Sequence, residues 1–177
     1  LGAWNLEHGC ALAPLDACIQ FSSIAALLGG SGQANYSAAN STLDATSCSR
    51  RLAGQVGASV QWGPWADVGM AAEASIRTRL RGLGLGMIGM ADGELALHAS
   101  FSPMAPMVHA VLIVDWALLL DHMAPLSLFA LVRSAVIDSK STTDTALLER
   151  KDGMSAPPHV FISLNAVLDL ALSLIHI

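Results

Sequence analysis

The run FSSIAALLGGSGQANYSAAN, Phe21 to Asn40, decides how the rest of the chain is read. It opens on the end of DACIQFS (Asp16–Ser22), a short apolar segment that suits a buried strand finishing in polar residues. Gly29, Gly30 and Gly32 then punctuate the chain. From Gln33 to Leu52 the residues are small or good helix formers without proline, and Gly54 and Gly57 follow as stop signals, so the pattern predicts one long helix.

Outward from this strand and helix the alternation continues. Leu1 to Leu6 reads as the end of a helix, and Ala58 to Trp62 (ASVQW) as a second short strand closed by Gly63 and Pro64. Glu73–Leu83 and Ala91–Ser100 are predicted helical, the latter capped by Asp92. Val108–Val114, dense in β-branched residues, is a third strand. Strands alternating with helices at this spacing imply an α/β fold: a parallel, doubly wound, Rossmann-like sheet covered by helices on both faces. Beyond Met123 the periodicity decays. Residues 124–158, rich in Ser, Thr, Asp and Lys, read as a linker, and 159–177 as a short helical or unstructured tail.

Composition removes several function classes. With 53% hydrophobic residues the chain has the material for a packed core, and 9 basic against 14 acidic residues leave a net charge of −5. The arginines form no basic patch, so a nucleic-acid partner is not expected. Cys10, Cys18 and Cys48 are an odd number without metal-ligand spacing; they point to buried thiols in a reducing compartment and to no metal site. Two apolar stretches fall short of a membrane span of roughly 20 residues. Met104–Leu120 is interrupted by Pro106 and Asp115, and His159–Ile177 carries Asn165 and Asp169.

The candidate chemistry lies in the opening run. Tyr36, the only tyrosine, stands thirteen residues after Ser23 and four before Asn40. In open α/β sheets ligands sit outside the carboxyl ends of the strands, where Ser22 and Ser23 fall. Tyr36 and Asn40 share one face of the helix, and Tyr36 lies near its start, where the macrodipole favours a negative oxygen. A phenol titrates near roughly pH 10, so one that moves protons at neutral pH needs a neighbouring cation or dipole.

FSSIAALLGGSGQANYSAANSTLDA followed by VQWGPWADVGMAA, with GAWNL upstream and VLIVDWALLL downstream, resembles the ketoreductase domain of modular polyketide synthases. It is more distantly similar to the corresponding domain of animal-type fatty acid synthase, and both belong to the short-chain dehydrogenase/reductase superfamily. The resemblance covers residues 1–123 and implies reduction of a β-ketoacyl thioester on an acyl carrier protein with NADPH, beside neighbouring synthase domains. By position it implies that Ser23 bonds the keto oxygen, that Tyr36 donates the proton, and that Asn40 organises the surrounding water and lysine. Ser22, Tyr36, Gly63, Pro64 and Trp65 would border the cofactor, with WGPW (Trp62–Trp65) as the loop along the nicotinamide. A cytoplasmic location goes with this reading.

Three departures qualify the resemblance. The family's lysine would fall just before Leu1, since Lys140 and Lys151 are the only lysines and both lie in the linker-like region. The glycine-rich turn after a strand that cradles the cofactor's pyrophosphate is not among these residues, LGLG at 83–86 following a helix instead. The expectation is therefore a partial ketoreductase domain, its cofactor-binding half upstream, inactive alone and exposing a sheet edge. The final LSLIHI is also what CTGTCTCTTATACACATC, a transposase end used in sequencing libraries, encodes. Leu28 stands eight residues before Tyr36, where A-type ketoreductases carry tryptophan, so A-type stereochemistry is disfavoured. The competing readings are a non-catalytic structural domain of a synthase, and a stand-alone reductase whose Tyr-x-x-x-Lys motif would put lysine where Asn40 stands.

Overall fold

A computed structural model describes residues 2–10, 13–66 and 74–122. The elements run α1 (Gly2–Gly9), β1 (Ile19–Ser23), α2 (Ala25–Leu28), α3 (Ala34–Leu52), β2 (Ala58–Trp62), α4 (Ala74–Gly82), α5 (Met90–Ser100), β3 (Val108–Val111) and α6 (Trp116–His122). The three strands form one parallel sheet in the order β1-β2-β3. Parallel neighbours need long crossovers, which α2–α3 and α4–α5 supply. The linker and tail readings fall outside the described residues.

In-register parallel strands place the two sides of the sheet in different chemical hands. Ser23 pairs with Trp62 and Ser22 with Gln61, while Trp62 pairs with Val111 and Gln61 with Ala110. On one side Val60, Trp62 and Val111 pack with Ile88 and with Ala96 of α5. On the other, Ser22, Ser59 and Gln61 face α3 and bond to it, and Ala110 packs with Leu85, Leu112 and Leu119 of α6. Helices on both faces of a parallel sheet are the doubly wound arrangement the alternation implies. All five residues of β2 are buried, as the central strand requires.

The strand and helix readings shift at their ends. Asp16–Cys18 precedes the ladder, which the Ala58 N–H to Cys18 carbonyl bond opens. Leu112–Val114 leaves β3, and Val114 instead meets Leu85 in an isolated antiparallel bridge. Asp92 is not the cap of α5: Gly89 holds that position and Asp92 lies in the first turn, where a carboxylate still complements the helix dipole. α2 and α6 were not foreseen. α6 begins where the Asp115 carboxylate accepts the Ala117 and Leu118 N–H groups, so the residue that interrupts the apolar stretch starts a helix.

β1 lies at the sheet edge among the described residues. Phe21 on it is 56% exposed, and Trp4 and Leu6 of α1 are exposed as well. The tie between α1 and the body is ionic: Arg50, buried at the end of α3, donates to the Glu7 carboxylate at 2.7 Å and to the Val56 carbonyl. The three cysteines are free and half-buried rather than fully buried, and burial raises the thiol pKa of Cys18 and Cys48. No helix among the described residues is long and apolar enough to cross a membrane.

Candidate active site at the carboxyl edge of the sheet

Ser22 and Ser23 are the last two residues of β1, and the pleat turns them to opposite sides. Ser22 faces α3, where its hydroxyl donates to the Asn40 carbonyl at 3.2 Å and is buried. Ser23 faces the other way, half-buried, with its Oγ accepting the Ala25 N–H at 3.2 Å. That bond uses a lone pair and leaves the hydroxyl proton for another acceptor.

The chain then turns back over the strand it has left. The Ile24 N–H bonds the Trp62 carbonyl, which lays the exit of β1 across the end of β2. After α2, Gly29 and Gly32 take positive φ values of 70° and 74°, a conformation L side chains rarely adopt, and α3 starts two residues later. Tyr36 is therefore in the first turn of α3, 40% exposed, with its N–H on Asn35 Oδ1 at 2.9 Å. Asn40, one turn on, is buried and donates from Nδ2 to the Tyr36 carbonyl at 2.9 Å. The topology thus carries Ser23, Tyr36 and Asn40 on two adjoining elements, with Ser22 joining those elements from beneath.

WGPW forms the neighbouring loop. The Gly63 N–H bonds the Val111 carbonyl at 2.8 Å, and a Cβ at Gly63 would stand 3.1 Å from that oxygen, so the loop lies flat against β3. The Pro64 carbonyl accepts the Ile88 N–H, and Trp65 forms a bridge with Ile88. The Trp62 and Trp65 rings lie 5.0 Å apart, and Phe21 lies 5.6 Å from Trp62 on its other flank. The buried Trp62 indole N–H has no hydrogen-bond partner among the described residues.

Two residues that sequence reasoning passed over shape this edge. Gly93 of α5 lies under Trp65, whose Cη2 would be 2.1 Å from a Cβ there; a lone glycine inside a helical pattern is the signal for such a close approach. Asp44 continues the Tyr36–Asn40 stripe at the same four-residue step and binds two side chains of β2. Among the described residues no group of three or more His, Cys, Asp or Glu is placed to hold a metal ion.

The KR domain family model matches residues 1–67. A phenolphthiocerol synthesis polyketide synthase type I of Mycobacterium bovis is 38% identical over 140 residues, 78% of this chain and 6% of the relative. Polyketide synthase GfsB of Streptomyces halstedii is 52% identical over 66 residues, 37% of this chain and 1% of that protein. Among solved structures, an A-type ketoreductase from a modular polyketide synthase matches with TM-score 0.62 at 35% identity, covering 66% of this chain and 24% of that one. A C2-type ketoreductase matches with TM-score 0.58 at 30% identity, covering 67% and 25%. The chain thus spans a small part of these synthases and about a quarter of the solved ketoreductases. An A-type and a C2-type ketoreductase both match, so the fold does not by itself choose a type. The chain belongs to the ketoreductase domain family of modular polyketide synthases.

Proposed function

We propose that the domain to which this chain contributes reduces the β-keto group of an acyl thioester, carried on an acyl carrier protein of the same synthase, to the β-hydroxyacyl product with NADPH. The observation that supports this is the placement of Ser23 and Tyr36. Ser23 ends β1 with its hydroxyl proton uncommitted, and Tyr36, the only tyrosine, lies in the first turn of α3, the helix in contact with that strand.

Ser23 donates to the keto oxygen and fixes its orientation, the Ala25 N–H on its Oγ favouring that donation. Tyr36 gives its proton to the same oxygen as charge develops there, and the amino end of α3 stabilises the phenolate left behind. When bound, NADPH supplies the hydride that adds to the carbonyl carbon. The described residues offer its nicotinamide end Gly63, Pro64 and Trp65 with Tyr36; Ser22 would border it only through its main chain because its hydroxyl is buried on the Asn40 carbonyl, and the unpartnered Trp62 N–H is a spare donor at that loop. For the pyrophosphate they offer no strand-to-helix glycine turn, since Gly29–Gly32 lies between two helices. In this reading a lysine from outside these residues assists the proton transfer, and the 177-residue chain alone does not turn over. The neighbouring synthase domains and a cytoplasmic location belong to the same proposal, and Leu28, where A-type enzymes carry tryptophan, disfavours the A-type alcohol.

The test is reduction of a β-ketoacyl thioester analogue, followed by loss of NADPH absorbance and chiral analysis of the alcohol, in a polypeptide extended to the complete domain. Tyr36→Phe lowers kcat by about 10²-fold or more, the scale of lost proton transfer, with helical content unchanged. Turnover retained by Tyr36→Phe, or NADPH-dependent reduction by the 177-residue chain alone, contradicts the assigned roles.

A further inference from the structure

The residues of α3 buried beneath the site are polar: Asn40, Ser47 and Arg50. Apolar packing is non-directional and sets a helix's rotation only through the shapes that interlock. Here directed bonds do that work. Asp44, half-buried on the same stripe, divides its carboxylate between two rungs of β2. Oδ1 accepts the Ser59 hydroxyl at 2.6 Å and Oδ2 accepts the Gln61 amide at 2.8 Å. Ser59 is 0% and Gln61 4% exposed, so neither donor has water as an alternative partner. One turn nearer the site the Ser22 hydroxyl holds the Asn40 carbonyl at 3.2 Å. Successive turns of α3 are thereby pinned to β2 and β1, and Tyr36 stands one turn beyond the last pin.

We propose that Asp44 is a positioning residue for Tyr36, its two bonds to Ser59 and Gln61 setting the rotation and height of α3 on the sheet and so the place of the phenol relative to Ser23. Two acceptor oxygens meeting two donors two residues apart on one strand fix both translation along the strand and rotation about the helix axis, which a single bond does not. Asp44 reaches β2 from the strand-facing side of α3 and takes no part in proton transfer itself. The catalytic consequence rests on the reductase reading of Tyr36, whereas the geometric one does not.

The single tyrosine makes the geometric part directly readable. With ring-¹³C tyrosine in the 177-residue chain, Tyr36 gives the only labelled signal. Asp44→Ala shifts or splits that signal, and Ser59→Ala, which removes one of the two bonds, moves it in the same direction by less. Asp44→Asn leaves it in place, because an amide accepts from Gln61 and donates to the Ser59 oxygen. Thr42→Ala, on the solvent face of α3, also leaves it in place. In the complete domain Asp44→Ala lowers kcat by about 10- to 100-fold, the scale set by a misplacement of about 1 Å, with the KM for NADPH unchanged and activity restored by Asp44→Asn. An unmoved Tyr36 signal in both Asp44→Ala and Ser59→Ala overturns the proposal, as does an Asp44→Ala enzyme with undiminished kcat. A wild-type domain that reduces nothing removes the reductase reading alone, and the tyrosine signal still decides the positioning.

Discussion

The hydroxyl of Ser22 donates to the main-chain carbonyl of Asn40 across 18 positions of sequence, at 3.2 Å and out of contact with solvent. Ser23, its chain neighbour, spends its oxygen on a local turn and keeps its proton. Two adjacent serines thus have separable roles, and substitution separates them. Ser22→Ala removes a buried bond to a carbonyl that keeps its helical N–H donor, and costs about 1 kcal/mol in urea unfolding. Ser23→Ala changes stability by less than about 1 kcal/mol, since only a half-exposed turn is affected. In the complete domain it lowers turnover by about 10²-fold, the usual size of a lost hydrogen bond to a reacting oxygen. Equal stability losses for the two variants would remove the distinction.

Trp65 and Gly93 make a second pair that can be tested against each other. A methyl group at Gly93 would overlap the Trp65 ring, so Gly93→Ala forces the indole or α5 to move and destabilises the fold by about 1–3 kcal/mol. In a Trp65→Ala background the same change meets no ring. The double-mutant cycle is therefore expected to show strong coupling, with the Gly93→Ala penalty falling by at least half. Denaturation of the four proteins measures it, and additive losses would mean that the ring is not what fills the space.

Much of this architecture is legible in the chain, for reasons that differ from element to element. ASVQW is bounded by Gly57 and by Gly63-Pro64, and the observed strand is Ala58–Trp62 as read; α3 spans Ala34–Leu52, one residue short of the predicted start. The end of β3 is misplaced because the apolar run Leu112–Val114 continues past the point where the ladder stops, and the start of β1 because Asp16–Cys18 lies ahead of its first paired residue; pairing partners rather than propensity decide both points. α2 escaped notice since four residues carry no periodicity, and Asp115 was read as a break when its carboxylate caps a helix. At the site, Ser23, Tyr36 and Asn40 stood out by their spacing. Asp44 did not, because the value of a carboxylate at that position comes from Ser59 and Gln61 on another strand.

The Glu7–Arg50 pair sets a different kind of test. Arg50 is 4% exposed and its guanidinium meets the Glu7 carboxylate at 2.7 Å, joining α1 to the far end of α3. Removing one partner strands a buried cation, so Glu7→Ala costs about 2–3 kcal/mol, below the range for fully buried pairs because Glu7 keeps some contact with water. Replacing both, as Glu7→Leu with Arg50→Met, costs less than half as much because no unpaired charge remains. Thermal unfolding of the two variants decides it, and a double variant as unstable as the single one would show that the pair contributes more than mutual neutralisation.

His109 of β3 gives the fold a pH dependence whose sign is fixed by its surroundings. Its Nε2 lies 2.9 Å from Ser100 Oγ, whose single proton goes to the Ala96 carbonyl. Burial lowers the imidazole pKa from its ordinary value of 6.5, with the Pro106 carbonyl opposing part of the effect. Below pH 6.5 the unfolded chain therefore takes up a proton that the folded chain refuses. Stability is full above that value and falls as pH drops from it toward the folded pKa, below which this contribution levels off. Urea midpoints between pH 8 and pH 5 should decline for the wild type. His109→Gln, which does not titrate, should lower stability at pH 8 and flatten the acid decline over the same interval. A wild-type curve that rises on acidification through this window would show that His109 is held charged, contrary to its position between β3 and α5.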